Sequence, residues 1–133
     1  MVELHGWALI RQDFTIDNED ENLTQIVGYL KQEIAKLGMN ERSIQISFIN
    51  GEVSLTATNF TNHFTDETSK IIDLFNWIAR KAPGSYGLLY LHDDEDANGF
   101  SNAFQVFVLA RGTFQSKEDP FLSPYIPTVE DEE

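Results

Sequence analysis

Between Ile44 and Thr58 two alternating runs, Ile44-Gln-Ile-Ser-Phe48 and Val53-Ser-Leu-Thr-Ala-Thr58, are joined across Asn50-Gly51. Asn and Gly both tolerate positive φ, so this dipeptide favours a two-residue type I′ turn, whose twist matches an antiparallel hairpin. Ile44, Ile46 and Phe48 fall on one side of the first strand, and Val53, Leu55 and Ala57 on one side of the second. The hairpin therefore has one apolar and one wet face.

The flanking sequence supplies a cover for the apolar face. On the N-terminal side Leu23, Ile26, Val27, Leu30, Ile34 and Leu37 recur at helical spacing, after the acidic run Asp17-Asn-Glu-Asp-Glu21. Carboxylates in a first turn suit the positive end of a helix dipole, and Gly38 can take the left-handed position that ends the helix. On the C-terminal side Ile71, Leu74, Phe75, Ile78 and Ala82 form a second stripe, capped by Thr65 or Asp66 and ended by Pro83-Gly84. Residues 4–10 are apolar on both faces, as expected of an interior strand. Tyr86–Leu91 and Ala103–Arg111 read as two further strands around the polar segment 92–99.

The order β-α-β-β-α-β-β predicts an α+β fold: a mostly antiparallel five-stranded sheet with two helices on one face. Its first six elements match a split βαβ, ferredoxin-like unit, with the extra strand added as a hairpin. A single domain over residues 1–112 follows. From Thr113 the pattern stops, and Pro120, Pro124 and Pro127 exclude a continuing helix or central strand. Residues 113–133 then form an extended tail, anchored by Phe121, Leu122, Tyr125 and Ile126, with a frayed acidic end from Thr128 to Glu133.

Composition narrows function. The 133 residues are enough for one core and contain no cysteine, which removes disulfides, thiolate metal sites and Cys nucleophiles together. Nine Lys and Arg against 22 Asp and Glu give a net charge of −13. Such a chain repels phosphate backbones and anionic membranes alike, so neither is an expected partner. The opening Met1-Val-Glu-Leu-His-Gly-Trp7 is not a signal peptide pattern, and no stretch is long and apolar enough for a membrane span. The expected location is cytoplasmic.

Catalysis lacks a visible constellation. His5, His63 and His92 show no helical metal spacing, and no Ser sits in a G-x-S-x-G elbow. His5 reads as a packed strand histidine and His63 as a solvent-exposed loop residue. His92 and Asp93 are adjacent in a strand and so point to opposite faces. Asp94-x-Asp96-x-Asn98-Gly99 resembles the first half of a calcium loop, but the twelfth position is Gln105 and the flanks are strands. The glycines occur singly, without a phosphate-binding pattern. No enzymatic activity, metal or cofactor is expected.

Clustered charge is what remains. Asp17–Glu21, Asp93–Asp96 and Glu130–Glu133 hold twelve of the 22 acidic residues. Like-charged blocks oppose folding locally and favour solubility or long-range attraction of a cationic partner. Asp93, Asp94, Glu95 and Asp96, at a hairpin tip, are the candidate contact block. Tyr29 and Trp77, each turned away from its helix's apolar stripe, are candidate interface anchors, since aromatics bury much area at low entropic cost.

Four stretches carry a family resemblance: Glu3-Leu-His-Gly-Trp7-Ala-Leu-Ile10, Tyr86-Gly-Leu-Leu-Tyr-Leu-His-Asp-Asp-Glu-Asp96, Asn102-Ala-Phe-Gln-Val-Phe107 with Arg111-Gly112, and Asp119-Pro-Phe-Leu-Ser-Pro-Tyr-Ile-Pro127. Together they resemble the immunity protein 7 family of bacterial polymorphic toxin systems. The resemblance implies a cytoplasmic, non-catalytic protein that binds and neutralises a toxin domain encoded beside it. The charge suggests a basic, nuclease-type toxin whose phosphate-binding cleft an acidic surface can occlude. The competing readings are a DNA-mimic inhibitor of a nucleic-acid-binding protein and a calcium-binding or enzymatic module on Asp94–Asn98. A mimic needs charge spread along a duplex-like track, whereas these carboxylates are grouped.

Overall fold

The computed structural model describes residues 1–12, 20–38 and 42–127, with the backbone alone at 20–22. Asp17 and Glu19 of the first acidic block, the Glu130–Glu133 block and the rest of the acidic end from Thr128 lie outside the described residues. Eight elements follow in order: β1 (Val2–Ile10), α1 (Asp20–Leu37), β2 (Ile44–Ile49), β3 (Glu52–Thr61), α2 (Asp66–Lys81), β4 (Tyr86–Asp93), β5 (Gln105–Ala110) and β6 (Thr113–Glu118). The strands form one sheet in the order β2-β3-β1-β4-β5-β6, and every neighbouring pair is antiparallel. The run β2-β3-β1-β4 is the ferredoxin-like core, and β5 and β6 widen it beyond β4.

Six strands replace the expected five. The sixth occupies residues whose own pattern is nearly all polar, TFQSKE, with Phe114 as its one large apolar side chain, and all six pair in register with β5. A turn makes it. Arg111 and Gly112 take φ of 51° and 78°, the same positive pair as Asn50 and Gly51 at 53° and 77°. Both turns join strands through two residues, with Ile49 opposite Glu52 and Ala110 opposite Thr113. Phe114 then turns inward, its ring stacked on Phe107 at 5.1 Å and tilted against Phe75 at 5.9 Å.

Alternation decides the two faces of the sheet. Val2, Leu4, Ala8 and Ile10 of β1 are buried beneath the helices, together with Leu55 of β3 and Leu89 of β4. Above them Ile26, Val27 and Leu30 of α1 and Ile71, Leu74, Phe75 and Ile78 of α2 complete the core, as the two stripes required. Thr65 caps α2 through a reciprocal box, accepting from Thr68 N at 3.3 Å while Thr65 N donates to Thr68 Oγ1 at 3.4 Å. Thr68 Oγ1 also donates to Asn59 Oδ1 at 3.2 Å, which fixes the start of α2 to β3. β1 and β4 approach closely at Gly87, where a Cβ would sit 2.0 Å from the carbonyl oxygen of Trp7.

Among the described residues no helix covers the other face. Trp7 and Tyr86 meet there edge to face at 6.1 Å, and the Arg11 guanidinium lies 5.6 Å from the centre of the Tyr86 ring. Among the described residues no helix is long and apolar enough to cross a membrane.

Candidate functional site

The antiparallel ladder gathers several chain segments at one end of the sheet. Val2 pairs with both Thr61 and Asp93, so the start of β1 and the ends of β3 and β4 lie side by side. The β4–β5 connection and the segment after β6 emerge at this same end. Asp93 belongs to the strand itself, and Asp94, Glu95 and Asp96 begin the connection.

Each carboxylate of this block has a partner. Asp93 Oδ1 accepts from Glu95 N at 3.0 Å, and Asp96 Oδ2 accepts from Asn98 N at 2.8 Å and Phe100 N at 3.0 Å. Glu95 pairs with His63 Nδ1 at 2.7 Å, joining the connection to the loop before α2. Asp94 accepts from the N-terminal ammonium at 2.6 Å, a bond that holds its carboxyl below the ordinary carboxylate value. Carboxylate oxygens of Asp93, Asp94 and Glu95 nevertheless lie within 4.8 Å of one another. The calcium-like run therefore folds as a turn in which Asp96 holds main-chain amides. Phe64, Leu91, Phe100 and Phe107 wall a recess of about 220 Å³ beside Asp93 and Asp96.

Beyond β6 the chain folds back against this end. Asp119 is only 4% exposed, and its carboxylate collects four hydrogen bonds. Oδ1 accepts from Tyr90 Oη at 3.0 Å and Phe121 N at 3.1 Å, and Oδ2 from Leu122 N at 2.6 Å and Ser123 Oγ at 3.2 Å. Burial pushes the Asp119 carboxyl up, but the Leu122 and Phe121 amides, with Tyr90 and Ser123, outweigh it and the net shift is downward. Burial and the bond to Asp119 push the Tyr90 phenol up.

His92 completes this packing. It is buried, its Nε2 donates to the Ser101 carbonyl at 2.9 Å, and the Tyr125 ring stacks on it at 4.0 Å. Asn102 grips Ile126 twice, donating to its carbonyl at 3.0 Å and accepting from its N–H at 2.7 Å. The expected apolar anchoring of this segment is reduced to the stack of Tyr125, itself 45% exposed, on His92. Phe121, Leu122 and Ile126 are 81%, 55% and 66% exposed. Polar groups hold the segment, because a loop this short has more main-chain donors and acceptors to satisfy than apolar surface to bury.

Of the remaining histidines, His63 is the exposed loop residue expected, whereas His5 is exposed where a packed strand residue was expected. His5 pairs with Glu3 at 2.8 Å on the helix-free face, and His63 is exposed apart from its bond to Glu95.

Tyr29 and Trp77 come together elsewhere. They line a groove of about 530 Å³ between α1 and α2 with Ile26, Gln32, Glu33, Lys36 and Lys81. Trp77 is partly buried against the core, and the exposed Tyr29 accepts from Gln25 Nε2 at 3.3 Å. Trp77 lies about 16 Å along α2 from its first residue, which adjoins the carboxylate end. Neither aromatic lines the recess beside Asp93 and Asp96.

Fold and site define a class: an α+β protein with a ferredoxin-like core widened by a hairpin, displaying carboxylates and apolar side chains at one end of its sheet. Within that class the chain belongs to the immunity protein 7 family, which matches it over residues 1–131. Membership implies an immunity protein directed against a toxin. No curated protein and no solved structure matches the chain.

Proposed function

We propose that this protein neutralises a cognate, basic, nuclease-type toxin domain by covering its positive surface with the carboxylate end of the sheet. The observation that carries the reading is the convergence of Asp93, Asp94 and Glu95, with carboxylate oxygens inside 4.8 Å, on a chain of net charge −13. Three carboxylates against the single ammonium on Asp94 leave a net negative potential there, and a cationic surface relieves it. Complementary charge of this kind raises association rates by about 10–10³-fold and loses its effect as salt rises. Phe64 and Phe100, beside the carboxylates, supply aromatic contact there, while Tyr29 and Trp77 offer a second contact on the helical layer.

Occlusion requires no chemistry from the immunity protein itself. An interface of about 800 Å² per partner is enough for a specific complex, roughly a tenth of the 8366 Å² surface. The test reverses Asp94 and Glu95 to Lys, since both are more than half exposed. Association with the toxin domain encoded beside this gene is then followed at low and high salt. The on-rate at low salt should fall at least about tenfold and its salt dependence flatten. An unchanged low-salt rate would show the block to be a solvated loop.

A further inference from the structure

We infer that residues 119–127 form a preshaped apolar prong, with Phe121 and Leu122 at its tip, which enters an apolar recess on the toxin beside the basic surface. This inference rests on the proposed toxin-binding reading and assigns it a second contact of different chemistry.

The loop reverses the ordinary pattern of burial. Asp119, a carboxylate, is buried, while Phe121, two residues on, is 81% exposed. Three separate devices hold this arrangement: the four bonds to the Asp119 carboxylate, the two-bond grip of Asn102 on Ile126, and the stack of Tyr125 on His92. Burying a charge is costly unless it is fully hydrogen-bonded, and here the bonds include two successive main-chain amides of the residues that carry the apolar tip. The groups that satisfy Asp119 therefore also fix the direction of Phe121 and Leu122. An apolar side chain carried on a fixed main chain loses less entropy on docking than one on a loop that must first be ordered, which favours it as a binding anchor.

Position and charge select the occupant. The loop is bonded to Asn102 and stacked on His92, so it shares its end of the sheet with Asp93–Asp96. In sequence Glu130, Asp131, Glu132 and Glu133 follow the prong after Thr128 and Val129. An apolar tip that shares its end of the sheet with carboxylates fits an apolar recess bordered by cationic side chains. That combination suits the basic toxin better than a second copy of this acidic chain, which would repel it.

The test compares the full chain with the Phe121→Ser, Leu122→Ser double variant against the toxin domain encoded beside this gene. Both positions are exposed, so the variant should keep its melting temperature. The expected result is dissociation faster by on the order of thirtyfold, with the on-rate and its salt dependence unchanged. An unchanged dissociation rate overturns the prong and leaves toxin binding standing. Failure of the unsubstituted chain to bind overturns both. Sedimentation closes the other case: if the unsubstituted chain is a dimer that the variant abolishes, with toxin binding unaffected, the tip pairs two copies and the inference is wrong.

Discussion

Replacing Asp119 with Asn keeps the shape of the side chain and removes its charge, so it isolates what the buried carboxylate does. Its four donors divide into two pairs: Tyr90 Oη and Phe121 N on Oδ1, Leu122 N and Ser123 Oγ on Oδ2. Whichever way the new amide turns, its NH2 faces one hydroxyl and one main-chain N–H. The hydroxyl can rotate and accept, but the N–H cannot, so one amide loses its partner and the two bonds to the remaining oxygen lose their charge. Bonds to charged groups are worth about 1.5–3 kcal/mol and neutral ones about 0.5–1.5 kcal/mol. The losses sum to about 3.5–6 kcal/mol, and the lower cost of burying a neutral amide offsets part of them, which puts the net near 2–4 kcal/mol. The loop can open without the core, so this appears as local opening. Amide hydrogen exchange across 119–127 should accelerate by between about thirtyfold and several hundredfold, while the core strands β1 and β4 keep their protection. Unchanged exchange at Phe121 and Leu122 would refute the claim that Asp119 holds the loop.

Two further outcomes follow from the same geometry. The Asp119 carboxyl is held below its ordinary value of 3.8, so its contribution is present above that value and disappears as pH falls through the lower, folded one. Protection of 119–127 should survive acidification to about pH 4 and be lost below it, and loss near neutral pH would contradict the bonding pattern. Gly87→Ala places a methyl 2.0 Å from the Trp7 carbonyl oxygen, against main chain that cannot rotate away. Parting β1 from β4 should cost about 2–3 kcal/mol and lower the melting temperature by about 10 °C, measured by calorimetry; a melting temperature that does not move would mean the two strands are looser than their register implies.

The parts of the fold that were legible in the sequence are those fixed by local chemistry. Asn50-Gly51 defines its own turn, and the Leu23–Leu37 and Ile71–Ala82 stripes define their own faces, so element order and the ferredoxin-like core follow. β6 was not legible because an edge strand buries little: of Thr113–Glu118 only Phe114 reaches the core. Its signal was Arg111-Gly112, a weaker type I′ pair than Asn-Gly because Arg takes positive φ less readily. The block Asp93–Asp96 was legible as charge but its bonding was not, since His63 arrives from another loop. The prong was missed for the opposite reason. Hydrophobicity alone reads Phe121, Leu122 and Ile126 as anchors, whereas Asp119-Pro120 is a turn signal in which a side-chain oxygen collects the following amides.

Charge and apolar tip would contribute differently to a complex. Exposed carboxylates act at a distance of about one Debye length, ~8 Å at physiological salt, so they attract and orient a partner before contact. Once in contact they are paired and screened, and exposed pairs of this kind add about 0–1 kcal/mol each. Phe121 and Leu122 act only at contact, where removing apolar surface from water stabilises by roughly 25 cal/mol per Å². Carboxylates alone would give fast association with many basic proteins and little discrimination among them. An apolar tip alone would be discriminating but slow to find its recess. Set at one end of one sheet, the two would together supply the speed and the selectivity that protection from a single toxin demands.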